Sequence, residues 1–250
     1  MTRYLVVRIL AALLGVVAWA FGGLLWLLAV VVALLTVTAL GVVMPRLQFF
    51  GPFVCHGAGQ QRRVALTFDD GPDAGSTPIL LDLLRDERTS AAFFCVGEKV
   101  AAHPELAART VREGHLLENH SYSHNHLTNL FSVTRLRTEL VQTQEIIQRT
   151  TGIVPSCFRP PMGLSNPRVF RAARKLGLKV VGWSVRGLDT KLSDPEQIVA
   201  RIVRQLEPGA IILLHDGNIP AERLVLTVKR LLDTVRALGY DVVRLDQLLK

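Results

Sequence analysis

The chain is poor in cysteine, with three in 250 residues. Cys55, Cys95 and Cys157 are too few and too scattered for a disulfide framework, and no CxxC or related spacing offers a cysteine metal site. Cys95 and Cys157 lie in apolar runs and read as buried thiols. Aromatics are scarce as well, at 6%. No stretch interleaves basic and aromatic residues as a nucleic-acid module would, so the net charge of +8 gives no nucleic-acid partner. That charge fits a basic surface beside anionic lipid, or one that meets an anionic glycan.

The longest absence is of charge itself. Ile9 to Met44 has no charged residue over 36 positions, where a membrane helix needs roughly 20. A secretory signal peptide would have a shorter apolar core and a small-residue cleavage site. A buried helix of a soluble protein would show a polar face, and this run has none. Residues 1–44 are therefore read as a retained anchor in the lipid bilayer. One straight helix of 36 residues would reach about 54 Å, against a hydrocarbon core of about 30 Å. A single span would carry the remainder outside, the side taken for the catalytic part. A hairpin turning near Gly22-Gly23 would need two short spans and would leave the remainder on the cytoplasmic face. Arg3 and Arg8 flank one end and Arg46, Arg62 and Arg63 the other, so the positive-inside rule does not choose.

The length allows one domain of ordinary to large size. Residues 45–61 read as a juxtamembrane linker, broken by Gly51-Pro52 and by Gly57 to Gln61. From residue 62 to 250, short apolar runs alternate with longer amphipathic ones. The expected strands are Val64–Phe68, Ala91–Val96, His115–Glu118, Ser156–Phe158, Leu178–Ser184, Ala210–Leu214 and Tyr240–Leu245. Pro104 opens a helix that Gly114 closes. Asn166-Pro167 is an N-cap followed by proline at the first helical position, with Gly177 at the far end. Asp194-Pro195 repeats the device, with Gln197 at the capping-box position. Seven strands alternating with helices predict a parallel α/β architecture, either an open doubly wound sheet or a barrel.

Active sites of such folds gather at the carboxyl ends of strands. Asp69-Asp70 follow the first strand, His120 the third, Arg159 the fourth, Asp189 the fifth and His215 the sixth. Loop residues are often polar, but these are ligand and acid–base types. His120 and His124 are four apart, and on a helical turn both imidazoles would share one side and one metal ion. His126 would point elsewhere. Asp69 or Asp70 adds a carboxylate, which completes two histidines and one acid with an open position for activating water. The other aspartate could take a proton from that water, held off the metal by Arg159. His215 could protonate a leaving group. The bland alternatives are a surface salt bridge for Arg159 and a hydrogen-bonded loop histidine for His215.

The motifs "TFDDGP" (67–72), "HSYSH" (120–124), "RPP" (159–161) and "LLHD" (213–216) resemble, in order and spacing, those of the polysaccharide deacetylases, the NodB-type carbohydrate esterase family 4. "TSAAFFCVGE" (89–98) looks like the family's second strand. The resemblance spans about residues 62–250. It implies a distorted (β/α) barrel and a divalent metal, usually zinc. The implied reaction is hydrolysis of an N-acetyl or related N-acyl group on an amino sugar of a glycan or glycolipid. By the same resemblance Asp69 is the general base, and Asp70, His120 and His124 bind the metal. Arg159 orients Asp69, His215 is the general acid and Asp189 holds and tunes it. The backbone N–H of Met162 would help hold the oxyanion, and Leu213 would line the pocket for the acetyl methyl. Three positions depart from the pattern. Met162 stands where the family has tyrosine or phenylalanine, Arg186 where it often has aspartate, and Thr190 follows Asp189 where it has tryptophan. These departures point to a substrate other than plain chitin or peptidoglycan. The alternatives are a deformylase or deacetylase of a lipid-linked sugar at the cytoplasmic face, and a catalytically silent glycan-binding module. The silent module predicts loss of a metal ligand or of Asp69, and none is lost.

Overall fold

A computed structural model describes residues 2–59 and 61–250. Helix α1 (Arg3–Val43) is not straight. Gly23 takes φ 68, a left-handed conformation outside the helical region, and the chain reverses there. The two legs, 3–22 and 24–43, return side by side. The Tyr4 N–H donates to the Phe49 carbonyl at 3.0 Å, and the Arg3 guanidinium reaches the Leu47 carbonyl at 2.6 Å. The Tyr4 ring packs edge-on to Phe49 and Phe50. Each leg spans about 30 Å at 1.5 Å per residue. The helix is long and apolar enough to cross a membrane. Its large side chains face outward on both legs, with Phe21 90% and Leu25 80% exposed. The hydroxyls of Thr36 and Thr38 bond the carbonyls of Val32 and Leu34 four residues back, so neither adds a free donor to the apolar surface.

Among the described residues eight strands follow: β1 (Arg63–Asp69), β2 (Ala92–Cys95), β3 (Leu116–Asn119), β4 (Cys157–Phe158), β5 (Lys179–Val180), β6 (Val185–Arg186), β7 (Ile211–His215) and β8 (Asp241–Val242). Their order is β5-β4-β3-β2-β1-β7-β6, with β8 beside the start of β1 and every pairing parallel. The sheet curls into a distorted barrel that stays open between β5 and β6. The helices are α2 (Thr77–Asp86), α3 (Gly97–Ala102), α4 (Pro104–Arg112), α5 (Val133–Thr151), α6 (Pro167–Arg174), α7 (Pro195–Val203), α8 (Ala221–Ala237) and α9 (Leu245–Leu248). The expected N-caps Asn166 and Asp194 are present, while Gln197 makes no capping-box bond among the described residues. Asn166 accepts the N–H groups of Arg168 and Val169, and Asp194 that of Glu196.

Alternation along β1 divides the core. Val64, Leu66 and Phe68 pack outward against helices α2, α7 and α8. Ala65 points inward, with Phe94, Cys157, Val181 and Ile211. Leu245 and Leu248 of α9 join that inner cluster and close the barrel floor, since β8 pairs with the first residues of β1. Thr67 and Asp69 continue the inward row towards the open, carboxyl-terminal mouth.

Four expected strands are shorter than their apolar runs, Ala91–Val96 by one residue at each end. Leu178–Ser184 is not one strand but covers β5 and the irregular stretch that leads to β6 at Val185. Gly182 leaves the ladder because its N–H donates to the Val54 carbonyl and its carbonyl accepts from Arg159. The Ser156 N–H, like that of Cys157, is taken by the Glu118 carboxylate, and β4 begins only at Cys157. Tyr240–Leu245 keeps only Asp241–Val242 as strand, and Leu245 starts α9. Much of the segment expected as a linker is packed down. Phe49, Phe50 and Phe53 are buried, Val54 bridges to Val181 across the barrel opening, and His56 bridges to Ala210.

Candidate active site

The strand register sets the site. Asp69 and His215 are direct partners on neighbouring strands β1 and β7. Asn119 is paired with Phe158, so His120 and Arg159 leave β3 and β4 together at the same level. Four sequence-distant residues thus reach one mouth.

Asp69 and Asp70 follow each other, and an extended backbone would send them apart. Asp70 instead adopts φ 73, which folds its side chain back over the mouth. Both acids then face one imidazole nitrogen, with His120 Nε2 lying 3.4 Å from Asp70 Oδ1 and 3.8 Å from Asp69 Oδ2. The Asp70 turn is steadied by Lys99, whose ammonium donates to the Asp70 carbonyl at 2.7 Å. Gly71 is required here, because a methyl group on its Cα would overlap the Asp216 carboxylate.

Asp69 is separated from Asp70 by its partner. Arg159 is fully buried and donates through Nη1 to Asp69 Oδ1 at 2.6 Å and to Thr67 Oγ1 at 2.9 Å, and through Nη2 to the Gly182 carbonyl at 2.8 Å. Its guanidinium also lies 3.9 Å over the Phe94 ring. The charge-assisted bond fixes one oxygen of Asp69 and leaves the other free to accept a proton.

The two histidines do not lie on a helical turn, contrary to expectation. Residues 120–124 form a loop in which Ser121 (φ 67) and His124 (φ 46) are both left-handed. The imidazoles still meet, with ring centres 4.9 Å apart, because the loop is held from outside. Glu139 on α5 accepts the N–H groups of Tyr122 and Ser123 and the Ser123 hydroxyl, at 3.1, 2.8 and 3.0 Å. Asn119 accepts the Ser121 N–H at 2.9 Å. Nothing local to "HSYSH" signals this support. An acid on the buried face of α5, between Leu136 and Leu140, is the trace it leaves in the sequence.

Asp70, His120 and His124 offer ligand atoms that all lie within 4.8 Å of one another. The donor chemistry fits a divalent cation. His120 Nδ1–H donates to the Arg159 carbonyl at 2.7 Å, which turns the Nε2 lone pair towards Asp70 and His124. Burial raises the Asp70 carboxyl, but the hydrogen bond and charge of His120, then His124 and His215, outweigh it and hold the group well below the usual range. Two histidines and one carboxylate is a zinc-type set. His126 stays outside it, its ring 6.2 Å from that of His124.

His215 is set by Asp189, which accepts the His215 backbone N–H at 2.7 Å and Nδ1–H at 3.0 Å. Burial lowers the imidazole pKa, while the Asp189 hydrogen bond and charge, with Asp69 and Asp70 beyond, raise it more, and the net shift is upward. Leu213 is buried on the same inward row as His215. Met162 has φ 59 and an exposed side chain, and the neighbouring Gly163 leaves room for Trp183. Arg186 stacks on the other side of the wall, 5.7 Å from the Trp183 ring. Asp216, beside His215, went without a role in the sequence reading. It is fully buried and raised to about 7 by burial, bonded to the Thr77 hydroxyl through one oxygen only.

The chain is similar to known proteins in sequence and in fold. The polysaccharide deacetylase family profile matches residues 56–181, half of the chain. A peptidoglycan-N-acetylglucosamine deacetylase of Bacillus cereus is 33% identical over 192 residues, covering 76% of this chain and 89% of that protein. A chitooligosaccharide deacetylase of Bradyrhizobium is 37% identical over 187 residues, covering 74% of this chain and 85% of the relative. The crystal structure of the Bc1960 peptidoglycan N-acetylglucosamine deacetylase superposes with a TM-score of 0.75 at 30% identity, over 79% of this chain and 92% of that one. Sequence motifs, barrel and relatives agree, and the chain belongs to the polysaccharide deacetylase family.

Proposed function

We propose that the protein is a metal-dependent amidohydrolase that removes the N-acetyl group of an amino sugar. One observation carries the reading: Asp70 converges with His120 and His124, while Asp69, next to it in sequence, is held separately by buried Arg159. A divalent ion bound by the three ligands, most simply zinc, would polarise the amide carbonyl and acidify water. Asp69 accepts the proton of the attacking water through its free oxygen. His215, kept protonated by Asp189, delivers a proton to the departing amine nitrogen. Leu213 offers an apolar wall for the acetyl methyl, and the backbone N–H of Met162 is the proposed oxyanion donor. The test is acetate release from chitooligosaccharides by the full-length protein before and after chelation. Activity should vanish with chelator and return with zinc, and chelator-resistant activity would sink the reading.

The hairpin favours a narrower version. Its two ends meet, so Arg3, Arg8, Arg46, Arg62 and Arg63 all flank the apolar segment on the side of the barrel, and the turn near Gly23 has no charge. The positive-inside rule then supports a cytoplasmic barrel and a lipid-linked amino sugar as substrate. An activity reporter fused after Lys250 should report the cytoplasm, and an external signal would return the search to wall or capsular polymers.

A further inference from the structure

A cavity of about 640 Å³ lies away from the three converging ligand residues, where the root of the hairpin meets α6 and β5. Its apolar wall includes Leu5, Phe50, Phe170 and Leu178. Its charged lining is all cationic: Arg8, Arg171, Arg174 and Lys179. All four are exposed, and among the described residues none has a carboxylate within salt-bridge distance. The sequence explains this. There is no aspartate or glutamate before Asp69, and none between Glu145 and Asp189. The hairpin root and α6 both come from these acid-free stretches.

A second cavity, of about 530 Å³, runs between the two legs and shares Arg8 with the first. Small residues Ala11, Ala12 and Gly15 open it on one leg, facing Leu27 and Val31 on the other. A basic mouth that continues into an apolar slot has the shape of an amphiphile with an anionic head.

We infer that the root of the hairpin binds one anionic phospholipid. Its phosphate lies among Arg171, Arg174 and Lys179, and an acyl chain passes Arg8 into the slot between the legs. The occupant is a bilayer lipid because the cavity joins the segment read as membrane-embedded, and the inference rests on that reading. Phosphate is strongly charged and lipid tails are apolar, so the two parts of the site are tested separately.

The experiment uses the full chain purified in detergent, with phosphatidylglycerol, phosphatidylcholine or inorganic phosphate added. Native mass spectrometry reads bound lipid, and thermal melting reads stabilisation. Phosphatidylglycerol should be retained at one per chain and should raise the melting temperature, while phosphatidylcholine and inorganic phosphate do neither. Arg171→Gln with Arg174→Gln and Lys179→Gln should lower phosphatidylglycerol occupancy about tenfold or more. Gly15→Phe should lower it with every charge intact. Equal retention of the two lipids, no loss in the triple variant, or equal stabilisation by inorganic phosphate would each overturn the inference. Acetate release from a soluble oligosaccharide checks that the variants fold. If the wild type released no acetate, the deacetylase reading would fail while the lipid measurement still stood.

Discussion

Arg159 Nη1 lies 2.6 Å from Asp69 Oδ1, and both side chains are shut off from water. Breaking a buried pair strands the remaining charge, which typically costs about 3–5 kcal/mol. Arg159→Ala should therefore lower the urea midpoint sharply as well as turnover. Asp69→Asn should keep the bound metal and lose about 10²–10⁴-fold in turnover, the usual weight of a positioned base. Asp70→Ala should lose the metal itself. Metal content by elemental analysis, beside acetate release, separates the three. Loss of metal in Asp69→Asn would show that the two adjacent acids do not have separate roles.

Glu139 touches no metal ligand, yet it holds the loop that carries His124. Glu139→Ala should leave the barrel folded and weaken zinc affinity about 10–100-fold, the usual effect of losing an outer support. Competition with a chromogenic chelator measures it. Unchanged affinity would mean that the loop keeps its left-handed turns unaided. Glu139→Gln, which keeps one acceptor oxygen, should recover part of the affinity.

Asp189 controls a pH limb. A general acid works only while protonated, so turnover falls as pH rises through the His215 pKa. That pKa is raised because the hydrogen bond and charge of Asp189 outweigh burial. With Asp189→Asn, burial dominates and the pKa drops. The alkaline limb of kcat/KM should move to lower pH, while the acidic limb stays in place. An alkaline limb that does not move would remove His215 from the acid role.

The elements that could be read from the sequence were those with a local cause. Asn166-Pro167 and Asp194-Pro195 mark helix starts because a cap is made within three residues. The uncharged run gave its apolar helix, and "TFDDGP" and "HSYSH" gave by type and spacing the three side chains whose ligand atoms converge. The helical turn assumed for His120 and His124 was wrong. Their meeting depends on Glu139 and Asn119, which spacing within the motif does not contain. Leu178–Ser184 looked continuous for a similar reason, since Val54 and Arg159 claim the backbone of Gly182 from other parts of the chain.

The sequence by itself determined which chemical groups are present and which segments avoid water, because side-chain type and periodicity act over a few residues. Tertiary structure decided where those groups point. Parallel register set His215 beside Asp69, and the left-handed backbone at Asp70 turned a neighbouring acid towards the same histidine. At Gly23 it folded the apolar helix back on itself, since contacts such as that between Tyr4 and Phe49 show that its two ends return to one side.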